Sequence, residues 1–345
     1  MSPDDTWEQA DLFQRLAVFA PKGRTSCCFV TVKRLIPRVE NVTELVEGTF
    51  LGLPEGEGEA DVSILSVPYE LTTSYGQGTH AGPEATIIAS AQVELYDPLL
   101  PEDLPCGFTL HTAKPWDGEG ATLQEQLSGI TDYVSHYLTS FPVILGGEHG
   151  MLPAIMDAIS KQVNLTNLTV VQIDAHADLR DELEGDPHSH ACAVRRTLDL
   201  GVGKILQIGI RAFAREEAEF SRDDARVDSW LARDILNPCG GEANWKNWLK
   251  TINEIEGPVW LTLDIDGLDP AYVPTTGTPV PGGLAFWQVV ETIEMIATAP
   301  NAHWIGADVN EIVPDMSNHV TEFTAAMLAT KIVAAHLARK LEGGK

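Results

Sequence analysis

Three short apolar runs in this chain each end, on their carboxyl side, in side chains able to bind a metal ion. No other feature limits the possible folds so strongly. Val170 to Ile173 leads into Asp174-Ala175-His176-Ala177-Asp178, Val259 to Leu263 into Asp264-Ile265-Asp266, and Val143 to Leu145 into Gly146-Gly147-Glu148-His149. In an extended segment the side chains at i, i+2 and i+4 share one face, so Asp174, His176 and Asp178 converge if the strand pattern continues through the motif. One such motif alone reads equally well as a turn or a capped helix start, but three of the same kind do not. They supply six ligand candidates: His149, Asp174, His176, Asp178, Asp264 and Asp266.

Between and around these runs, strands and helices alternate. Strands are expected at 61–67, 143–145, from 168, 204–210, 259–263 and 302–307. Helices are expected at 83–95, 122–138, after 150, and at 191–200, 243–255, 286–297 and 321–341. Apolar strands without strict alternation, separated by helices, indicate an α/β fold with a parallel sheet covered on both faces. Ligands bind such sheets outside the carboxyl ends of the strands, where all three clusters fall. Residues 1–58 read as an N-terminal arm suited to subunit contact, and residues 59–345 as one catalytic domain. In the arm, Thr6 and Gln9 suit a capping box for a helix over Trp7 to Phe19, and Pro54 to Glu59 is a loop-like acidic segment.

A formal net charge of −27 over 345 residues argues against nucleic acid or an anionic membrane as partner and favours a cationic one; an acidic surface also serves solubility. No run approaches the roughly 18 apolar residues of a membrane span. The acidic N-terminus lacks the pattern of a secretory signal, so a cytoplasmic location is expected. Cys27, Cys28, Cys106, Cys192 and Cys239 are odd in number and lack paired zinc spacing, which suits reduced thiols.

Asp174, Asp178, Asp264 and Asp266 place four negative charges in one crevice, and two divalent cations balance them. With His149 and His176 the set offers oxygen and imidazole and no thiolate, which suits manganese, zinc, nickel or iron. Two such ions close together serve hydrolysis. Strand-end aspartates used as helix caps are the plain structural alternative.

With these residues in view the chain resembles the ureohydrolases of the arginase/agmatinase family. The motifs that carry the likeness are Gly146-Gly147-Glu148-His149, Asp174-Ala175-His176-Ala177-Asp178, Ser189-His190, Asp264 to Pro270, Gly277 to Leu284 and Gly306-Ala307-Asp308-Val309-Asn310-Glu311. The resemblance implies a three-layer αβα sandwich around a mainly parallel sheet of about eight strands, and a trimer or hexamer. It implies two manganese ions per chain, with nickel, zinc and iron also compatible. His149, Asp174, Asp178 and Asp264 hold one, Asp174, His176, Asp264 and Asp266 hold the other, and Asp174 and Asp264 bridge. It further implies hydrolysis of a guanidino compound to urea and an amine, with Glu311 pairing the guanidinium, Asp178 accepting a proton from the attacking water, and His190 shuttling protons.

Agmatine, cleaved to putrescine and urea as in polyamine biosynthesis, is the expected substrate, because the Tyr69 to Gly82 loop and the block Glu94-Leu95-Tyr96-Asp97 look agmatinase-like. His188 also stands where arginases tend to carry an asparagine for the α-carboxylate. Guanidinobutyrate, other guanidino acids, arginine and guanidine are the alternatives within this chemistry; a non-catalytic metal-binding subunit is the alternative outside it. The sequence departs from the family at Gly150, where serine is usual and glycine reads as a helix N-cap. It departs again at Ala191-Cys192, beside His190, and at Glu148, which replaces a common aspartate.

Overall fold

Val, Ile and Leu runs pack well on a pleated surface, and six of them become the expected strands. In the computed structural model, which describes residues 45–118 and 120–343, they are β1 (Val62–Val67), β3 (Phe141–Gly146), β4 (Thr169–Ile173), β5 (Lys204–Ile210), β7 (Gly257–Asp264) and β8 (Ala302–Asn310). Two more, β2 (Leu110–Thr112) and β6 (Val227–Leu231), complete an eight-stranded sheet in the order β2-β1-β3-β8-β7-β4-β5-β6. Every pairing is parallel. The strands absent from the sequence reading are the two edges. Covered on one side only, β2 and β6 carry His111, Thr112, Asp228 and Ser229, and so lack the apolar run that marks a central strand.

Helices cover both faces. On one, α1 (Gly82–Ser90), α7 (Gly241–Asn253), α8 (Phe286–Thr298) and α9 (Val320–Leu341) bury Ile87, Trp248, Ile293 and Ile332 with Val171, Leu261 and Leu263 of the sheet. On the other, α2 (Leu123–Ser135), α3 (Leu152–Ser160) and α4 (Ala193–Asp199) bury Ile130, Ile155 and Val194 against Val170, Ile205 and Trp260. Alternate residues of one strand thus enter different cores, which gives the three-layer αβα sandwich. Helix α2 starts at a capping box in which Thr122 and Glu125 satisfy each other's backbone N–H groups.

Other boundaries differ from expectation. Helix α1 stops at Ser90 rather than Leu95, in a turn where the Val93 N–H donates to Ser90 O. The unanticipated α5 (Arg215–Asp223) has no apolar stripe, and its one buried residue is Glu217; the short α6 (Ala232–Ile235) was also unmarked.

The chain divides into two units, Met1–Arg38 and Val39–Lys345. The expected helix over Trp7 to Phe19 lies outside the described residues. Of the rest of the arm, Phe50, Leu51 and Leu53 are buried in the core that contains α1 and α9. Cys106, Cys192 and Cys239 are free thiols. No described helix is long and apolar enough to cross a membrane.

Candidate metal centre

The ligand candidates stand at the carboxyl ends of β3, β4 and β7, which with β8 are the four central strands. His149 Nδ1 lies 3.3 Å from Asp174 Oδ2, 3.2 Å from Asp178 Oδ2 and 3.6 Å from Asp264 Oδ2. His176 Nδ1 lies 3.6 Å from Asp174 Oδ1 and 3.1 Å from Asp266 Oδ2. Two groups of potential ligands result, His149 with Asp174 and Asp178, and Asp174 with His176 and Asp266. Asp174 belongs to both, one oxygen turned to each imidazole. Asp264 offers Oδ2 on the His149 side, while its Oδ1 accepts from the Asp266 N–H at 2.9 Å.

A row of polar side chains, buried except for the half-buried Ser229 at its end, lies one layer beneath these ligands, and the sequence reading missed it. Ser229, Gln207, Gln172, Thr262 and Asp308 are register neighbours across β6, β5, β4, β7 and β8. Asp308 accepts from Thr262 Oγ1 at 2.6 Å, from Asn310 Nδ2 at 2.5 Å and from the Trp260 indole. With its own hydrogen given to Asp308, Thr262 Oγ1 accepts from His149 Nε2 at 2.8 Å, which puts the ring proton on Nε2. On the other side Ser229 donates to Gln207 Oε1, Gln207 to Gln172 Oε1, and Gln172 Nε2 to Asp174 Oδ2 at 2.7 Å. Each amide is oriented by the next, and the chain ends on the shared carboxylate. The signal available in the sequence was a polar residue two places before a ligand, as in Gln172 before Asp174 and Thr262 before Asp264. Arg211, also overlooked, donates to the carbonyls of Asp266, Leu268 and Val280 and ties the loop after β7 to the site.

These residues fit a pair of divalent cations. His149 Nδ1 is buried with no hydrogen-bond partner in the protein, its lone pair turned toward carboxylates. A positive charge between them is what makes that arrangement favourable. Burial and the charge of Asp174 push Asp178 up to about 6, and burial with Asp266 and Asp174 raises Asp264 well above the usual carboxylate range. Divalent cations relieve both effects, and oxygen and imidazole donors without thiolate suit them.

Asp178 and Glu311 hold left-handed backbone at φ 53° and 64°, an unfavourable conformation for residues with a Cβ. The Glu311 N–H donates to Gly147 O at 2.8 Å and its carbonyl accepts from Thr276 Oγ1 at 2.8 Å, which fixes the bend. Glu311 Oε1 accepts from the His149 N–H at 2.8 Å. Burial, with Glu148 and Asp266 nearby, raises its carboxyl to about 8.

His190, Glu311, Asp178 and the two metal-side imidazoles line one small cavity of about 20 Å³, together with Thr73, Ser74, Tyr75, Gly76, Gly277 and Thr278. The Gly76 N–H donates to Gly277 O at 3.0 Å, so the 72–78 loop meets the 276–278 loop across the mouth. His80, His188 and His319 are not among the lining residues; His80 pairs with Glu70 and His319 with Glu322. Cys192 is buried with its sulfur toward Asp186 O and is not among the residues that line the cavity. Gly150 is not a helix N-cap, since it lies inside the single turn His149–Met151 that precedes α3.

Residues 60–337 match the family model for the arginase family. The chain is 36% identical over 285 residues to the N(1)-aminopropylagmatine ureohydrolase of Synechocystis sp., covering 80% of this chain and 89% of that protein. It is 34% identical to the agmatinase of Bacillus anthracis, covering 74% and 84%. The crystal structure of the agmatine ureohydrolase of Thermoplasma volcanium superposes with a TM-score of 0.69 at 28% identity, covering 82% of this chain and 92% of that one.

Proposed function

The chain belongs to the arginase family, whose relatives here are hydrolases of guanidino compounds, and from that premise we propose that it cleaves agmatine to putrescine and urea using two manganese ions. The observation that supports this most directly is the juxtaposition, in one cavity, of the paired imidazole and carboxylate groups with the buried Glu311. Bound there, two divalent cations supply water activated at neutral pH and balance the carboxylate charge. His149, Asp174, Asp178 and Asp264 would hold one ion and Asp174, His176, Asp264 and Asp266 the other.

The remaining steps belong to the chain's own groups. Glu311 accepts hydrogen bonds from the planar guanidinium, and that cation draws its carboxyl into the charged form. This fixes the guanidinium carbon beside the attacking water, which offsets the poor electrophilicity of a delocalised cation. Asp178 takes the proton released as the C–O bond forms and passes it to the amine nitrogen, which leaves as its bond to the guanidinium carbon breaks. His190, held by Thr72 and Ser74 at the rim, exchanges protons with solvent.

No cationic side chain lines the cavity among the described residues apart from the histidines, so nothing there pairs an amino-acid carboxylate. That favours agmatine over arginine. The cytoplasmic site and assembly of several subunits belong to the same reading. A second reading is guanidine as substrate: the cavity is small, about 20 Å³, and guanidine lacks the four-carbon tail that agmatine must place beyond it. Urea release over agmatine, N(1)-aminopropylagmatine, guanidinobutyrate, arginine and guanidine, with metal analysis of the same samples, tests both. Arginine as the best substrate would overturn the first, and turnover of agmatine at a higher kcat/KM than guanidine the second.

A further inference from the structure

Two of the departures from the family pattern, Glu148 and Gly150, occupy the same space. Glu148 is fully buried, and its carboxylate accepts from the backbone N–H groups of Leu71 and Thr72, each at 2.6 Å, and from the Thr72 hydroxyl. Thr72 Oγ1 in turn accepts from the His190 N–H at 2.9 Å and sits 3.4 Å from His190 Nδ1. A Cβ on Gly150 would lie 2.8 Å from Glu148 Oε1 and 3.4 Å from the His190 backbone. That carboxylate has three donors and cannot swing aside without losing them.

We propose that Glu148 is a positioning residue that sets His190 through Thr72, and that Gly150 lacks a side chain because the longer Glu148 fills its room. This rests on the reading of His190 as the proton shuttle. Glu148 touches neither the cavity nor the ligand atoms, so apart from its charge near Glu311, which Thr72→Val leaves in place, its contribution runs through Thr72. A buried carboxylate with three short hydrogen bonds fixes its partners more tightly than neutral acceptors do, and small misplacements of a catalytic group are costly. The neighbouring Glu70 holds the far end of the same loop through the N–H groups of Gly78 and His80, leaving the stretch between the two anchors to close over the cavity.

The test is steady-state urea release by the metal-loaded protein with the guanidino compound it turns over best, metal content being measured for each variant. Glu148→Gln is expected to keep its metals and lose up to about 100-fold in kcat. In a His190→Ala background the same change is expected to cost within about twofold, because the group it acts through is gone. Thr72→Val should repeat this pattern, and serves if Glu148→Gln does not fold. Gly150→Ala should slow turnover about tenfold or more and should recover when combined with Glu148→Asp, which withdraws the carboxylate by one methylene. The proposal is overturned by unaltered kcat in Glu148→Gln and Thr72→Val, by losses that multiply with His190→Ala, or by equal costs of Gly150→Ala in both backgrounds. Failure of the underlying reading looks different: no compound releases urea, or His190→Ala keeps full kcat, and either result removes the shuttle and this proposal together.

Discussion

Thr262 Oγ1 lies 2.8 Å from His149 Nε2 and 2.6 Å from Asp308 Oδ2, so one buried hydroxyl decides which nitrogen of the imidazole carries the proton. Thr262→Val keeps the shape, removes the acceptor and leaves the His149 Nε2 proton without a partner. Metal affinity should fall about 10- to 100-fold with the fold retained, since Asp308 keeps Trp260 and Asn310. Titration against a competing chelator measures this, and unchanged affinity would show that the tautomer is set elsewhere.

Removing the metals should destabilise the chain, because the site then concentrates four carboxylates around two imidazoles. Saturation at about 100 times Kd contributes about 2.7 kcal/mol, which for a domain of this size corresponds to about 4 °C in Tm. Calorimetry before and after verified chelation checks it. An equal Tm in both states counts against the cluster as a metal centre.

Asp266 stands 3.1 Å from His176 Nδ1, and Asp266→Asn removes a charge from the second ligand group. Metal content should drop from about two to about one per chain, with activity falling alongside. Retention of two equivalents would take Asp266 out of the ligand set.

His190→Ala and Glu311→Gln should both retain the metals and fail in different ways. Loss of a shuttle mainly slows turnover and is partly rescued by added imidazole, whereas loss of the guanidinium partner changes KM as well as kcat. If Glu311→Gln stays within about threefold, an effect under about 1 kcal/mol, that carboxylate does not hold the guanidinium. If His190→Ala strips a metal, it is a ligand and His149 is not needed as one.

His336, on α9 and far from the metals, gives a pH dependence. Its ring stacks on Phe141 at 3.7 Å. Burial, with Lys340 and Arg339 nearby and Asp61 opposing, lowers it from the ordinary 6.5 to about 3. Below pH 6.5 the unfolded chain takes up a proton that the folded chain refuses, so this contribution to stability falls as pH drops from 6.5 toward 3. The slope is at most about 1.4 kcal/mol per pH unit. His336→Phe keeps a stacking ring without the proton, and the Tm loss between pH 7 and pH 5 should shrink. The same loss in both proteins would place the acid sensitivity in other groups.

Much of this architecture was legible because the central strands are buried on both faces, and burial on both faces imposes continuous apolar runs that end where the sheet ends. The ligand candidates stand at those ends at alternating positions, which the spacing displays, although β4 stops at Ile173 and Asp178 turns toward the others through left-handed backbone and not along a continued strand. The edges were not legible. Strands β2 and β6 and helix α5 bury little, and selection for apolar side chains is weak where water covers a face.

What only the tertiary structure decided lies between segments distant in the chain. The row Ser229, Gln207, Gln172, Thr262 and Asp308 exists through strand register, which a single sequence does not display, and the ring proton of His149 depends on residues 113 and more positions away. The left-handed backbone of Glu311 is held by hydrogen bonds to Gly147 and Thr276, and the Asp178 carbonyl accepts from the Arg195 N–H of α4, against the local preference of both residues. Glu148 and Gly150 read as separate oddities in sequence, and only packing beside the 72–78 loop makes them one feature, because two atoms cannot share one volume.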